Sequence, residues 1–178
     1  PIIPPEVSEN PPVEAPTTPA SEDTSKKQVS FHSSDPLGIV WTRLGQRLTI
    51  PNEEVTGLAF YLCRVGTTSG DVTFAIRDME DNIIVSKVWG DASDVPEVHT
   101  WLEVTFDSPV TIDGEVRLSC EWEGGTPNNC LWFSYYSGNR KSGECYTNYS
   151  HQWHDIGEAE EANYRLLTSV VGQILENK

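Results

Sequence analysis

From Val29 onward, short strand-favouring runs follow one another at near-regular spacing, and no amphipathic helical repeat interrupts them. The runs are roughly 38–43, 46–50, 56–64, 71–77, 83–89, 100–106, 115–122, 130–136, 144–148 and 163–171. Turn-forming residues separate many of them: Thr67-Thr68-Ser69-Gly70, Asp78 to Asn82, Gly90-Asp91, Asp107-Ser108-Pro109 and Asp113-Gly114. Glycine, proline, aspartate and asparagine each favour turn backbone for their own steric reasons. Such a pattern predicts an all-β, antiparallel β-sandwich and excludes a parallel sheet wound with helices. Residues Glu158 to Ala162 are the one place where a helical turn is expected.

The densest stretch is Glu115 to Tyr146. Val116, Leu118, Cys120 and Trp122 alternate with polar residues, as in a strand with one buried face. The run Cys130 to Tyr136 follows a turn at Gly124-Gly125-Thr126-Pro127. Closing a hairpin there sets Cys120 opposite Cys130, which predicts a disulfide between them and a second between Cys63 and Cys145, with free buried thiols as the alternative. Disulfides would in turn imply maturation in an oxidising compartment. Trp122 and Trp132 are expected in the core, with Tyr135 on the opposite face from Trp132.

Residues 1–28 differ in kind. They carry seven of the twelve prolines and no aromatic residue, a composition that favours extended polyproline II and buries too little to fold alone. The division expected is an arm or linker over 1–28 and a β-sandwich over 29–178. Gln28 to His32 is proline-free and alternates apolar with polar, so Val29 and Phe31 are expected to anchor the junction, at roughly 1.5–3 kcal/mol each. The proline segment itself would lie along a neighbouring subunit. Pro1 is no natural start, so removal of a leader or upstream segment is expected.

Twelve basic against 27 acidic residues give a net charge of −15. Such a surface repels nucleic acid and anionic membrane, and no apolar run approaches the roughly 20 residues of a membrane helix.

The order GQRLTIPNEEVTGLAFYLCRVGTTSGDVTFAIRD, WLEVTFDSPVTIDGEVRLSCEW, NNCLWFSYYSGNRKSGECYTN, a tryptophan and a closing NYRLL strand resembles jelly-roll β-sandwich modules. These occur in bacterial and archaeal surface proteins, phage structural proteins and multimodular extracellular enzymes. The likeness spans about Gly45 to Leu167. It rests on Gly45, Arg64-Val65-Gly66, Arg77-Asp78, Thr105 to Pro109, Trp132, Tyr136 and Gly143. It implies a jelly roll of about 8–10 strands and an extracellular, cell-surface or virion setting. The cysteines and the acidic 157–162 segment depart from the pattern.

Tyr135, Tyr146, Tyr149 and Trp153, with Asn139 and Arg140, would form a platform that stacks on sugar rings and bonds their hydroxyls. Asp78, Glu80 and Asp81 offer oxygens to calcium; no other cofactor is expected. His151 and His154 lack a third metal ligand at motif distance. Asn148-Tyr149-Ser150 is a glycosylation sequon. No nucleophile-elbow, P-loop or dinucleotide motif occurs. The expectation is a non-catalytic extracellular assembly subunit of a filament, sheath or virion, whose arm contacts another copy; a carbohydrate-binding or adhesion module is the alternative.

Overall fold

The computed structural model describes residues 26–27, 33–138, 143–156 and 160–169. The chain is all-β and antiparallel. Its strands are β1 (Lys26–Lys27), β2 (Ser33–Leu37), β3 (Arg43–Val65), β4 (Asp71–Arg77), β5 (Ile83–Asp91), β6 (Thr100–Glu121), β7 (Cys130–Ser137), β8 (Cys145–Tyr149), β9 (Trp153–Asp155), β10 (Glu160–Ala162) and β11 (Tyr164–Thr168). The helical content of the described residues is one 3₁₀ turn, Ala92–Asp94, capped by Asp91.

Two very long strands organise everything else. β3 spans 23 residues and β6 spans 22, and they pair from Arg43↔Glu121 to Leu62↔Thr100. The pairing slips between Ile50 and Glu53 and again between Val55 and Gly57. At the first slip Asn52 has φ 44° and Gly114 φ 134°, and the Asn52 amide donates to Asp113 Oδ1 at 3.1 Å. Residues predicted to end strands (Pro51, Asn52, Asp113, Gly114) therefore make opposed bulges. Each expected strand pair, 46–50 with 56–64 and 100–106 with 115–122, is one bent strand, because the ladder resumes beyond the bulge.

The bend gives the two halves of β3 different neighbours. Its first half lies in the order β9-β8-β3-β6-β4-β5. Its second half pairs β6 on one side and β11 then β7 on the other, with β2 and β10 on β7 and β1 on β11. Across the space between, Phe60 of β3 meets Phe74 of β4 edge-on at 5.1 Å, and Phe133 of β7 stacks on Tyr146 of β8 at 6.2 Å. These rings, with Leu44, Leu48, Leu58, Leu62, Ile76 and Leu118, are fully buried. Truncating one such ring, Phe60→Ala, costs about 3–5 kcal/mol.

Four expectations need correction here. Of the expected strand Gly38–Arg43, Gly38 to Val40 are a turn closed by the Gly38 amide on the Trp41 carbonyl at 2.7 Å, and only Arg43 is strand, as the first residue of β3; the neighbouring strand lies earlier, in β2. Glu160–Ala162 is strand, not helix. The turn at Gly124-Gly125 joins no hairpin, since β6 pairs β3 and β4 while β7 pairs β2, β3 and β10. The disulfides fall with that hairpin. Cys120 faces Leu44 and Phe74, Cys130 faces Val65, Cys63 faces Trp132 and Cys145 faces Arg47, and all four are buried thiols.

Val29 and Phe31 lie outside the described residues. On either side of them, Lys26–Lys27 pair with β11 and Ser33–Leu37 with β7, so both flanks are held on this domain.

Candidate functional site

Pleating puts alternate residues of β8, β3, β6 and β4 on the outer face, where three rows cross the sheet. One is Cys145–Arg47–Arg117–Arg77, the next Thr147–Gly45–Ser119–Ala75, the third Tyr149–Arg43–Glu121–Thr73. Three guanidiniums side by side repel one another unless carboxylates separate them. Glu121 binds Arg77 through both oxygens at 2.7 and 3.0 Å, Asp155 lies 3.3 Å from Arg47 and 3.6 Å from Arg117, and Glu115 is 3.1 Å from Arg47. The middle row is small by necessity: a Cβ on Gly45 would stand 1.8 Å from the Leu118 carbonyl oxygen.

Trp153 lies over this face. Its indole N–H donates to Asp81 at 2.8 Å, and its ring sits 5.3 Å from the Arg117 guanidinium and 5.8 Å from that of Arg43. Arg43 reaches both Asp81 oxygens at 2.9 Å and stacks at 4.0 Å on Tyr149. Burial opposes ionisation of Asp81, but the Trp153 hydrogen bond and the Arg43 and Arg77 charges outweigh it and hold the carboxyl below its usual range. Beside this cluster is a polar cleft of about 310 Å³ lined by Thr42, Arg43, Asp71, Thr73, Glu121, Trp122 and Glu123.

The expected sugar platform is therefore dispersed. Tyr146 is fully buried between the layers, stacked on Tyr135 at 4.9 Å, with its hydroxyl 3.1 Å from Asp35. Tyr149 and Trp153 meet edge-on at 5.2 Å on the outer face, half-buried in a β8–β9 hairpin rather than free in a loop. Asn139 and Arg140 lie outside the described residues. Trp122 is core, its indole N–H on the Ser69 carbonyl at 3.0 Å. Trp132 is half-buried on the outer face of β7, and Leu131, Phe133 and Tyr135 fill the inner face instead.

The calcium set is engaged otherwise. Asp78 accepts from the Glu80 and Asn82 amides and the Asn82 side chain, which makes it the organiser of its own turn, while Asp81 belongs to Arg43 and Trp153 and Glu80 points to solvent. Among the described residues no group of three His, Cys, Asp or Glu is placed to hold a metal. His151 is exposed in the β8–β9 turn with φ 67°, and His154 packs edge-on against Trp41. The sequon also fails on access, since Asn148 is 3% exposed between β3 and β9, leaving a glycan no path out of the folded sheet.

Two surface features were not foreseen. On the outer face of the second half of β3, Tyr61 lies opposite Trp101 with centroids 5.3 Å apart; His99 sits 5.5 Å from Tyr61, and the Arg165 guanidinium 4.0 Å over Trp101. The alternation of Tyr61 with Phe60 and Leu62 was the available signal. At the far end of the other half, β5 pairs among the described residues with β4 alone, and Ile83, Ile84 and Val88 are 54%, 38% and 48% exposed. No protein-family model matches the chain, and no curated protein matches it significantly.

Proposed function

We propose that the protein is a non-catalytic assembly subunit of an extracellular filament, sheath or virion, built from a jelly-roll-like module, whose copies join through β5 while the N-terminal segment reaches a neighbour. The observation that carries this reading is the β5 edge. Among the described residues the outer edge of this nine-residue strand has no partner, and three aliphatic side chains stand exposed along the strand. Monomeric proteins normally blunt such an edge with charge, proline or a covering loop, because it templates pairing with another chain. A two-fold pairing of β5 with β5 of a second copy would satisfy both ladders at once. The net charge of −15 and the resemblance to surface and phage modules support an extracellular setting; the buried thiols lend it nothing.

Sedimentation of the full chain beside an Ile84→Lys/Val88→Lys double variant tests this. The natural chain should associate and the variant should run as a folded monomer with an unchanged strand spectrum. A monomeric natural chain, or a variant that associates equally well, refutes the reading.

The alternative, a carbohydrate-binding or adhesion module on a proline-rich linker, has the polar cleft beside Arg43 in its favour, since Asp71, Glu123, Thr42 and Thr73 offer hydroxyl-bonding groups there. A glycan array hit weakened by Asp71→Ala would move the conclusion to it.

A further inference from the structure

We propose that Asp35 and Glu160 form an acid-closed clamp at the end of β7, holding β2 and β10 loosely when ionised and tightly when protonated. The device lies within one domain, goes beyond the assembly reading and does not depend on it.

Register places the pair. Tyr135 of β7 has Ser33 of β2 across one edge and Ala162 of β10 across the other, so these two short strands flank it. Asp35 lies opposite Phe133 and Glu160 opposite Ser137, each two residues from that row and on the inner face with Tyr135. Leu37, two residues beyond Asp35 on the same face of β2, is fully buried. A carboxyl therefore stands where an apolar side chain would complete the face. An inward charge on a strand that has β7 as its one strand partner among the described residues must keep some water, and that weakens the grip.

The groups around the pair are acids and tyrosines. From β8, the Tyr146 hydroxyl donates to Asp35 Oδ2 at 3.1 Å, and its ring stacks on Tyr135 at 4.9 Å. Tyr164 of β11 and Gln46 of β3 donate to Glu144 instead, at 2.8 and 3.5 Å, and Glu161 alternates to the opposite face with Tyr136. Burial pushes both carboxyls above their usual range; the Asp35 charge adds to the rise at Glu160, and the Tyr146 bond offsets only part of it at Asp35.

The folded chain thus keeps protons here that the unfolded chain releases. The stabilisation is complete below the unfolded values, at about 4, and is lost as pH rises through the higher folded ones. Asp81 works in the opposite sense and below that window.

The test is amide hydrogen exchange of the full chain in mild acid and at neutral pH, corrected for intrinsic rates, beside a carboxyl-carbon titration by NMR. Protection of the β2 and β10 amides should be severalfold higher in acid, with Asp35 and Glu160 titrating above the ordinary carboxyl range. Asp35→Asn keeps an acceptor for Tyr146 and removes the charge, so β2 should be equally protected at both pH values. Tyr146→Phe should move the Asp35 titration further up, an effect that a merely space-filling tyrosine would not have. If Asp35→Asn loses its strand spectrum, Glu160→Gln read on the β10 amides decides. Ordinary titration of both carboxyls, β2 protection indifferent to pH in the natural chain, or a pH dependence that survives Asp35→Asn overturns the clamp.

Discussion

Trp153 and Asp81, 72 residues apart in sequence, are joined by a 2.8 Å hydrogen bond that pins the β8–β9 hairpin to the β4–β5 turn. Arg43 approaches the same carboxylate from β3, so three separate parts of the chain converge on one side chain.

Acid should loosen this junction. Folding lowers the Asp81 pKa, so the folded chain binds fewer protons there than the unfolded chain. The stabilisation is complete above the unfolded value, near 4, and is lost as pH falls through the lower folded value. Asp81→Asn should flatten that part of the stability-against-pH curve measured by urea unfolding. An identical acid limb in both proteins would show that Asp81 is not the group responsible.

Tyr146→Phe removes a hydroxyl from between the layers and leaves the ring in place. The hydroxyl donates to Asp35, whose carboxyl burial already pushes above its usual range, with the Tyr146 bond working against that rise. Leaving Asp35 without that donor should cost about 1–3 kcal/mol. Denaturant midpoints at pH 7 measure it, and a change under about 0.5 kcal/mol would mean water replaces the hydroxyl.

The four cysteines should titrate as four thiols per unfolded chain and resist a thiol reagent while folded. Burial raises the Cys63 pKa, with proximity to Cys130 adding to it, and burial raises that of Cys130, which keeps both out of the reactive thiolate form. Fewer than four thiols after unfolding under non-reducing conditions would reveal a covalent link that the strand register does not predict.

Gly45→Ala should be among the most damaging single-methyl changes in the chain. Its Cβ has 1.8 Å to the Leu118 carbonyl, and both partners are backbone held in the β3–β6 ladder. Relief requires parting those strands, so a loss of several kcal/mol is expected, read by thermal unfolding.

The all-β class was legible because alternation at Val116 to Trp122 and similar runs is a local property. Continuity was not. Asn52 and Gly114 announce a break in regular backbone, but whether the ladder stops or only bulges depends on partners such as Asp113, 61 positions from Asn52. The same limit applies at Gly124-Gly125: a glycine turn between two adjacent strands reads as a hairpin, whereas β6 and β7 each pair elsewhere. Trp153 illustrates the limit for sites. TNYSHQWHD is polar enough to read as an exposed loop, and its true environment is set by Arg43, Arg117 and Asp81, none of which is near it in sequence.

The two bent strands have a mechanical consequence. β3 and β6 each run through both layers, so the layers share one hydrogen-bonded spine and neither can be drawn off as a separate sheet. A pull on either layer is passed along that spine as shear, spread over many hydrogen bonds at once. A domain built this way would yield late and all together.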